Sequence, residues 1–247
     1  MKDLAWLKHD LIAHRGLYKE NGSIPENSKK AFLEAIDHGY AIECDLNITK
    51  DQQVVVFHDR SLKRLTGLDK NIGDVSYDEI KDLTLLISDQ HIITLKALLM
   101  LVDGKVPLLL ELKPLGDIKK LCQAVMGDMK SYQGKFAIFS FHPAAVLWFK
   151  RHHPQVIRGQ ISAFFDDHHH MRKPMKILMR RLFFNHFTKP DFISYYIHDL
   201  PNKHVDKAKK KGITVISYAA KTQKEFDFVK SHYDNVVFEY FLPKENA

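Results

Sequence analysis

The sequence predicts an α/β protein built as a (β/α)8 barrel, and three observations carry that expectation. Eight apolar, strand-like runs recur along the chain, helical patterns lie between them, and three of the runs end in charge. Continuous apolar runs are expected of parallel strands buried on both faces, each parallel crossover needs a helix, and closing the sheet buries every strand. The charged ends are Ile12-Ala13-His14-Arg15-Gly16, Ile42-Glu43-Cys44-Asp45-Leu46 and Leu108-Leu109-Leu110-Glu111-Leu112-Lys113. In such folds ligands sit just beyond the carboxyl ends of the strands, so one pocket can collect all of these side chains. A length of 247 residues, 45% hydrophobic and 27% charged, suits a single domain over 1–247.

The strands are expected at 10–13, 41–47, 107–112, 136–140, 156–161, 191–194, 213–218 and 235–239. Pro25-Glu26-Asn27-Ser28 opens the first helix, with Ala31, Phe32, Ala35 and Ile36 at helical spacing and Gly39 at its end. In that first turn Glu26 complements the helix dipole and Asn27 can cap. After the second strand the chain turns at Lys50-Asp51-Gln52-Gln53 and returns through Val54-Val55-Val56-Phe57 to His58-Asp59, a hairpin partner at the barrel mouth. Residues 59–93 then form a small insertion, too short for a core of its own and placed where barrels carry selecting loops. Later helices fit 94–102, 116–130, 143–152, 201–211 and 222–231, and little room is left for one after 239.

A net charge of +7 and a pI near 9.2 suit an anionic partner. The basic residues are spread out and no nucleic-acid-binding pattern accompanies them, so nucleic acid is not expected. The run Lys207-Ala208-Lys209-Lys210-Lys211-Gly212 ends a solvated helix, with Gly212 at its C-terminus. No membrane span or signal peptide is recognisable, which predicts a cytoplasmic protein, and Cys44 and Cys122 are expected to be packing residues. Residues 171–184 are basic and amphipathic, with Met175, Leu178, Met179 and Leu182 on one face. An outer barrel helix is the favoured reading, and weak contact with a membrane surface is the alternative. The adjacent His168-His169-His170 reads as a solvated loop.

Glu43 and Asp45 lie two apart on one strand and therefore project from the same face, where unpaired carboxylates would repel. A divalent cation resolves that conflict, with Glu111 as a third ligand in the hard-oxygen set that Mg²⁺ or Ca²⁺ prefers. The competing reading is that the three acids are strand-end charges paired with Arg15 and Lys113. His14 ends the first strand and His58 the hairpin, so both are expected to face the same mouth and suit proton transfer, while Arg15 offers a fork of donors to phosphate oxygens and Lys113 a point charge.

His14-Arg15-Gly16, Pro25-Glu26-Asn27-Ser28, Glu43-Cys44-Asp45, Thr49-Lys50-Asp51, Val56-Phe57-His58-Asp59 and Glu111-Leu112-Lys113 together resemble the ordered signature of the glycerophosphodiester phosphodiesterases. The resemblance is dense over 10–66 and clear again at 107–114, and Ser140-Phe141-His142-Pro143 is similar to a further segment. It implies a TIM barrel with a small insertion after strand 2, one divalent cation (Mg²⁺ or Ca²⁺) on Glu43, Asp45 and Glu111, His14 and His58 as the acid/base pair, and Arg15 and Lys113 on the phosphate. The implied reaction is hydrolysis of small glycerophosphodiesters to glycerol 3-phosphate and an alcohol. Two segments depart from the family. Tyr218-Ala219-Ala220-Lys221 stands where a Trp-Thr-Val-Asn-like stretch is usual, leaving Tyr218 as an aromatic wall for glycerol, and Glu239 stands in a segment that commonly ends in Ile-Thr-Asp. A lysophospholipase D that accepts an acyl chain and a noncatalytic phosphate-binding barrel are the alternatives.

Overall fold

The computed structural model describes residues 2–114, 116–166 and 171–244, so the histidine tract at 168–170 lies outside the described residues. These form two compact units, one of residues 12–137 and one that joins the first eleven residues to 138–247.

The first unit is centred on strand β2, Ala41–Ile48, every residue of which is buried except the last. It pairs in parallel with β1, Ile12–Ala13, placing Ile12 opposite Ala41, and antiparallel with the hairpin strand β3, Val54–Val56. On its other side it pairs in parallel with β4, Leu108–Leu112, in a register that sets Asp45 opposite Glu111. The helix Lys29–Asp37 returns the chain from β1 to β2, burying Ala31, Phe32 and Ala35. Ser28 caps it by accepting from the Ala31 amide, so Glu26 and Asn27 precede the helix instead of forming its first turn. Their side chains go elsewhere, as described below.

The insertion after β3 packs onto the hairpin segment that precedes it. Leu62, Leu65, Ile72, Val75, Ile80, Leu85 and Ile92 pack with Val55 and Phe57 into a buried apolar cluster. Alternation along the hairpin strand explains this, since Val55 and Phe57 share a face and lend the insertion a floor it could not build alone.

In the second unit β6 (Ile157–Ser162), β7 (Phe192–Tyr196), β8 (Thr214–Ala220) and β9 (Asn235–Phe238) run parallel in sequence order. The boundary between the units falls within β5, Phe136–Ser140. Helices Ile118–Asp128, Pro143–His152, Lys203–Lys210 and Gln223–His232 separate successive strands. This alternation is the (β/α)8 TIM barrel, with β3 as a hairpin addition. The helix Lys203–Lys210 carries the lysine run, and Gly212 follows it at φ +84°. Cys44 and Cys122 are both buried and free.

Two elements depart from the sequence reading. Ala5–His9 forms a helix that buries Trp6 and Leu7, too short to leave a helical period in the sequence. In the 171–184 segment only Lys173–Arg180 is a regular helix, and of the expected packing face Met179 and Leu182 are buried while Met175 is exposed. Among the described residues no helix is long and apolar enough to cross a membrane.

Candidate active site

Strand period and register assemble the acidic cluster. Glu43 and Asp45 are two residues apart on β2, and β4 brings Glu111 level with Asp45. One carboxylate oxygen from each residue lies within 4.8 Å of the others, and all three residues are buried. Burial, together with repulsion from Asp45 and Glu111, pushes the Glu43 carboxyl well above the ordinary range. Burial acts on Asp45 in the same sense, but Lys113, Arg15 and His58 outweigh it and hold Asp45 far below that range. Lys113 Nζ lies 2.7 Å from Glu111 Oε1 and 3.2 Å from Asp45 Oδ1. Pairing by basic side chains is therefore real at Asp45 and Glu111, as one of the two sequence readings expects. It does not reach Glu43 Oε1, which among the described residues is buried without a hydrogen-bond partner. An orphaned carboxylate oxygen beside two others is the donor set that a hard cation needs, so these residues fit one.

The turn after β1 is locked onto this cluster. Arg15 and Gly16 both have left-handed backbones, with φ of +52° and +76°. The Arg15 amide donates to Glu43 Oε2 at 3.0 Å, and the Gly16 amide to the Glu43 carbonyl at 3.3 Å. A Cβ on Gly16 would lie 2.8 Å from the backbone of Ala31, so only glycine fits this approach. The same turn carries His14, whose Nε2 lies 3.8 Å from Glu43 Oε2.

Around the cluster runs an alternating chain of charges that spacing alone did not reveal. Arg15 Nε lies 3.2 Å from Asp45 Oδ2, and its Nη1 donates to Glu26 Oε1 at 2.7 Å. Glu26 accepts two further bonds from Arg64, at 2.7 and 2.9 Å. Arg64 Nε also donates to Asp59 Oδ2, and Asp59 Oδ1 lies 2.6 Å from His58 Nδ1. Burial raises the carboxyls of Glu26 and Asp59, but the hydrogen bonds they accept outweigh it and hold both below the ordinary range. Asn27, at φ +55°, grips Asp45: its Nδ2 donates to Asp45 Oδ2 at 2.9 Å and its Oδ1 accepts from the Asp45 amide at 3.3 Å. Asn47 Nδ2 donates to the Phe57 carbonyl at 2.7 Å and ties down the strand that ends in His58.

Thus His14, Arg15, Glu43, Asp45, His58, Glu111 and Lys113 all fall in one compact unit. Tyr218 belongs to the other, where its hydroxyl donates to the Ser162 carbonyl at 3.2 Å and its ring meets Phe141 and Tyr196 edge-on or tilted, at 5.9 and 5.7 Å. In that unit the two departures from the family pattern meet, since Lys221 Nζ lies 3.4 Å from Glu239 Oε1. Asp59 and Arg64 are the site residues that sequence reasoning missed. Asp59 stood in plain view beside His58, whereas Arg64 lay in an insertion read as a loop.

Fold and site define an α/β barrel that presents a buried carboxylate cluster ringed by guanidinium, ammonium and imidazole groups. The chain belongs to the glycerophosphoryl diester phosphodiesterase family, whose model matches residues 14–233. Over 70 residues, 28% of this chain and 21% of the relative, it is 49% identical to a lysophospholipase D of Homo sapiens. Over 72 residues it is 39% identical to a glycerophosphodiester phosphodiesterase of Bacillus altitudinis, covering 29% of this chain and 28% of that protein. The chain thus spans under a third of the length of these curated relatives. A phosphodiesterase of Oleispira antarctica, solved in complex with the product sn-glycerol-3-phosphate, shares the fold at a TM-score of 0.79 and 22% identity, over 95% of this chain and 94% of that one.

Proposed function

We propose that this protein hydrolyses glycerophosphodiesters to glycerol 3-phosphate and an alcohol, using one divalent cation, Mg²⁺ or Ca²⁺, held by Glu43, Asp45 and Glu111. The observation that carries the reading is the convergence of three buried carboxylates, two of them with a buried oxygen that has no hydrogen-bond partner among the described residues, beside His14, Arg15 and Lys113. Family membership over 14–233 and the name of the Bacillus altitudinis relative support it. When bound, the cation supplies charge neutralisation at the non-bridging phosphoryl oxygens.

The chain's own residues supply the rest. Arg15 and Lys113 add positive charge where the phosphate's negative charge grows in the transition state. Asp59 holds His58 through Nδ1 and so leaves Nε2 as the atom that moves a proton. His14 and His58 divide the work, one deprotonating the nucleophile and the other protonating the leaving alkoxide. The nucleophile is water or the glycerol 2-hydroxyl, and the second route releases a cyclic phosphate that phosphorus NMR would detect.

Hydrolysis of lysophospholipids is the second reading, favoured by the name of the Homo sapiens relative. The deciding experiment measures choline release from glycerophosphocholine and from lysophosphatidylcholine, with Mg²⁺ or Ca²⁺ present and after chelation. Metal-dependent release from the water-soluble diester is the expected result. Release only from the lysolipid would favour the second reading, and release from neither would leave a noncatalytic phosphate-binding barrel.

A further inference from the structure

Residues 171–190 contain six lysine and arginine side chains and no aspartate or glutamate. The segment folds as the helix Lys173–Arg180, a turn, and the short helix Asn185–Thr188. It is seated by Met179 and Leu182, and Met179 joins Ala163 and Phe165 in a small buried cluster. Met175, Ile177, Phe183 and Phe187 are 42%, 47%, 43% and 55% exposed. The rings of Phe183 and Phe187 lie 5.8 Å apart and form a small aromatic cluster at the surface. Between and beside these apolar groups stand exposed Arg172, Lys173, Arg180, Arg181 and Lys189. The neighbouring helix adds Lys150, whose Nζ donates to the Phe187 carbonyl at 2.6 Å.

We propose that this face docks on an anionic phospholipid surface, a property separate from the reaction proposed above. Fully burying a Phe side chain contributes roughly 1.5–3 kcal/mol, so an exposed pair of phenylalanine rings set among cations is the apolar element of an interaction surface. Their chemistry selects the partner. Lysine and arginine stems can lie along apolar surface with their charges at lipid headgroups, while the phenylalanines enter the acyl boundary. A nucleic acid would use the charge but leave Met175 and Ile177 without a role. A second copy of the chain, docking through the same face, would bring two all-cationic segments together and meet like-charge repulsion.

Sedimentation of the full-length protein with vesicles tests this directly. Vesicles of equal parts phosphatidylglycerol and phosphatidylcholine should carry the protein down, vesicles of phosphatidylcholine alone should not, and high salt should release it. The double variants Phe183→Ser/Phe187→Ser and Lys173→Glu/Arg181→Glu should each weaken partitioning by about tenfold while circular dichroism stays unchanged. The proposal fails if the unaltered protein ignores the anionic vesicles, if it binds both vesicle types equally, or if both folded variants bind as it does. It also fails if the phenylalanine variant instead abolishes a dimer seen by ultracentrifugation without vesicles.

Discussion

Asp59 Oδ1 lies 2.6 Å from Nδ1 of His58, the residue immediately before it in the chain. Burial favours a proton on Asp59, but the hydrogen bonds from His58 and Arg64 outweigh it and keep the carboxyl below its ordinary range. An ionised carboxylate can only accept, so the proton sits on Nδ1 and the opposite nitrogen, Nε2, carries the free lone pair. In the proposed reaction Asp59 is the positioning residue of this pair.

Asp59→Asn keeps the size of that residue and removes its charge. Turnover should fall about tenfold to a hundredfold, a part of the ~10²–10⁴ that a positioned acid or base contributes. Steady-state kinetics on glycerophosphocholine would measure it, and kcat should carry the loss while KM stays nearly constant. An unchanged kcat would remove Asp59 from the mechanism.

Alanine at His14 or at His58 should each cost about 10²–10⁴ in kcat. Neither ring is part of the apolar core, so urea midpoints should move by no more than about 1 kcal/mol. Near-normal activity in both variants would eliminate the acid/base assignment.

Chelation should abolish activity, and adding Mg²⁺ or Ca²⁺ to the stripped protein should raise its melting temperature. A ligand at a hundred times its Kd stabilises by about 2.7 kcal/mol. Glu43→Gln should lose that thermal shift. The stripped variant should melt no lower than the stripped parent, because Glu43 is a buried carboxyl raised by burial and by its neighbours Asp45 and Glu111. A metal-induced shift that survives Glu43→Gln would count against the proposed ligand set.

Glu26 sets a pH dependence of stability. Burial raises its carboxyl, yet Arg64 and Arg15 bring it below the ordinary value. A carboxyl with a depressed folded-state pKa contributes stability above the unfolded value, about 4.3, and loses it as pH falls through the folded value. Urea midpoints should therefore drop on acidification below about pH 4. Arg64→Ala should shrink that drop, and an equal drop in the variant would assign the effect to other carboxyls.

Gly16→Ala places a Cβ 2.8 Å from the Ala31 backbone at a φ of +76°. The left-handed backbone alone costs of order 1–3 kcal/mol for a side-chain-bearing residue, and the clash adds to it. A stability loss of about 2 kcal/mol or more by urea denaturation is expected. A variant as stable as its parent would show that the turn can open away from Ala31.

Much of the barrel was legible because its signals are local. A buried parallel strand leaves an apolar run, so all eight expected runs coincide with observed strands to within two residues at their ends. Glu43 and Asp45 share a face by the period of the strand alone. Their meeting with Glu111 depends on the register between β2 and β4, and there the ordered family motifs supplied what spacing could not. The reading of Glu26 and Asn27 as helix-opening residues missed their main role, because Asn27 turns left-handed before the helix begins and both side chains reach back to Arg15 and Asp45. The insertion, too short for a core of its own, buries its apolar side chains together with Val55 and Phe57 of the preceding hairpin segment, a pairing no local pattern records.

By itself the sequence determined where strands and helices alternate, which strand ends carry charge, and which family those ends belong to, because period and motif are written in neighbouring residues. Only the tertiary structure decided which charges touch. Arg64 reaches Glu26 across 38 residues of chain, and Asn27 holds Asp45 across 18. Pairings at such separations are chosen by how packed strands and turns place their side chains, and no local pattern in the chain records that choice.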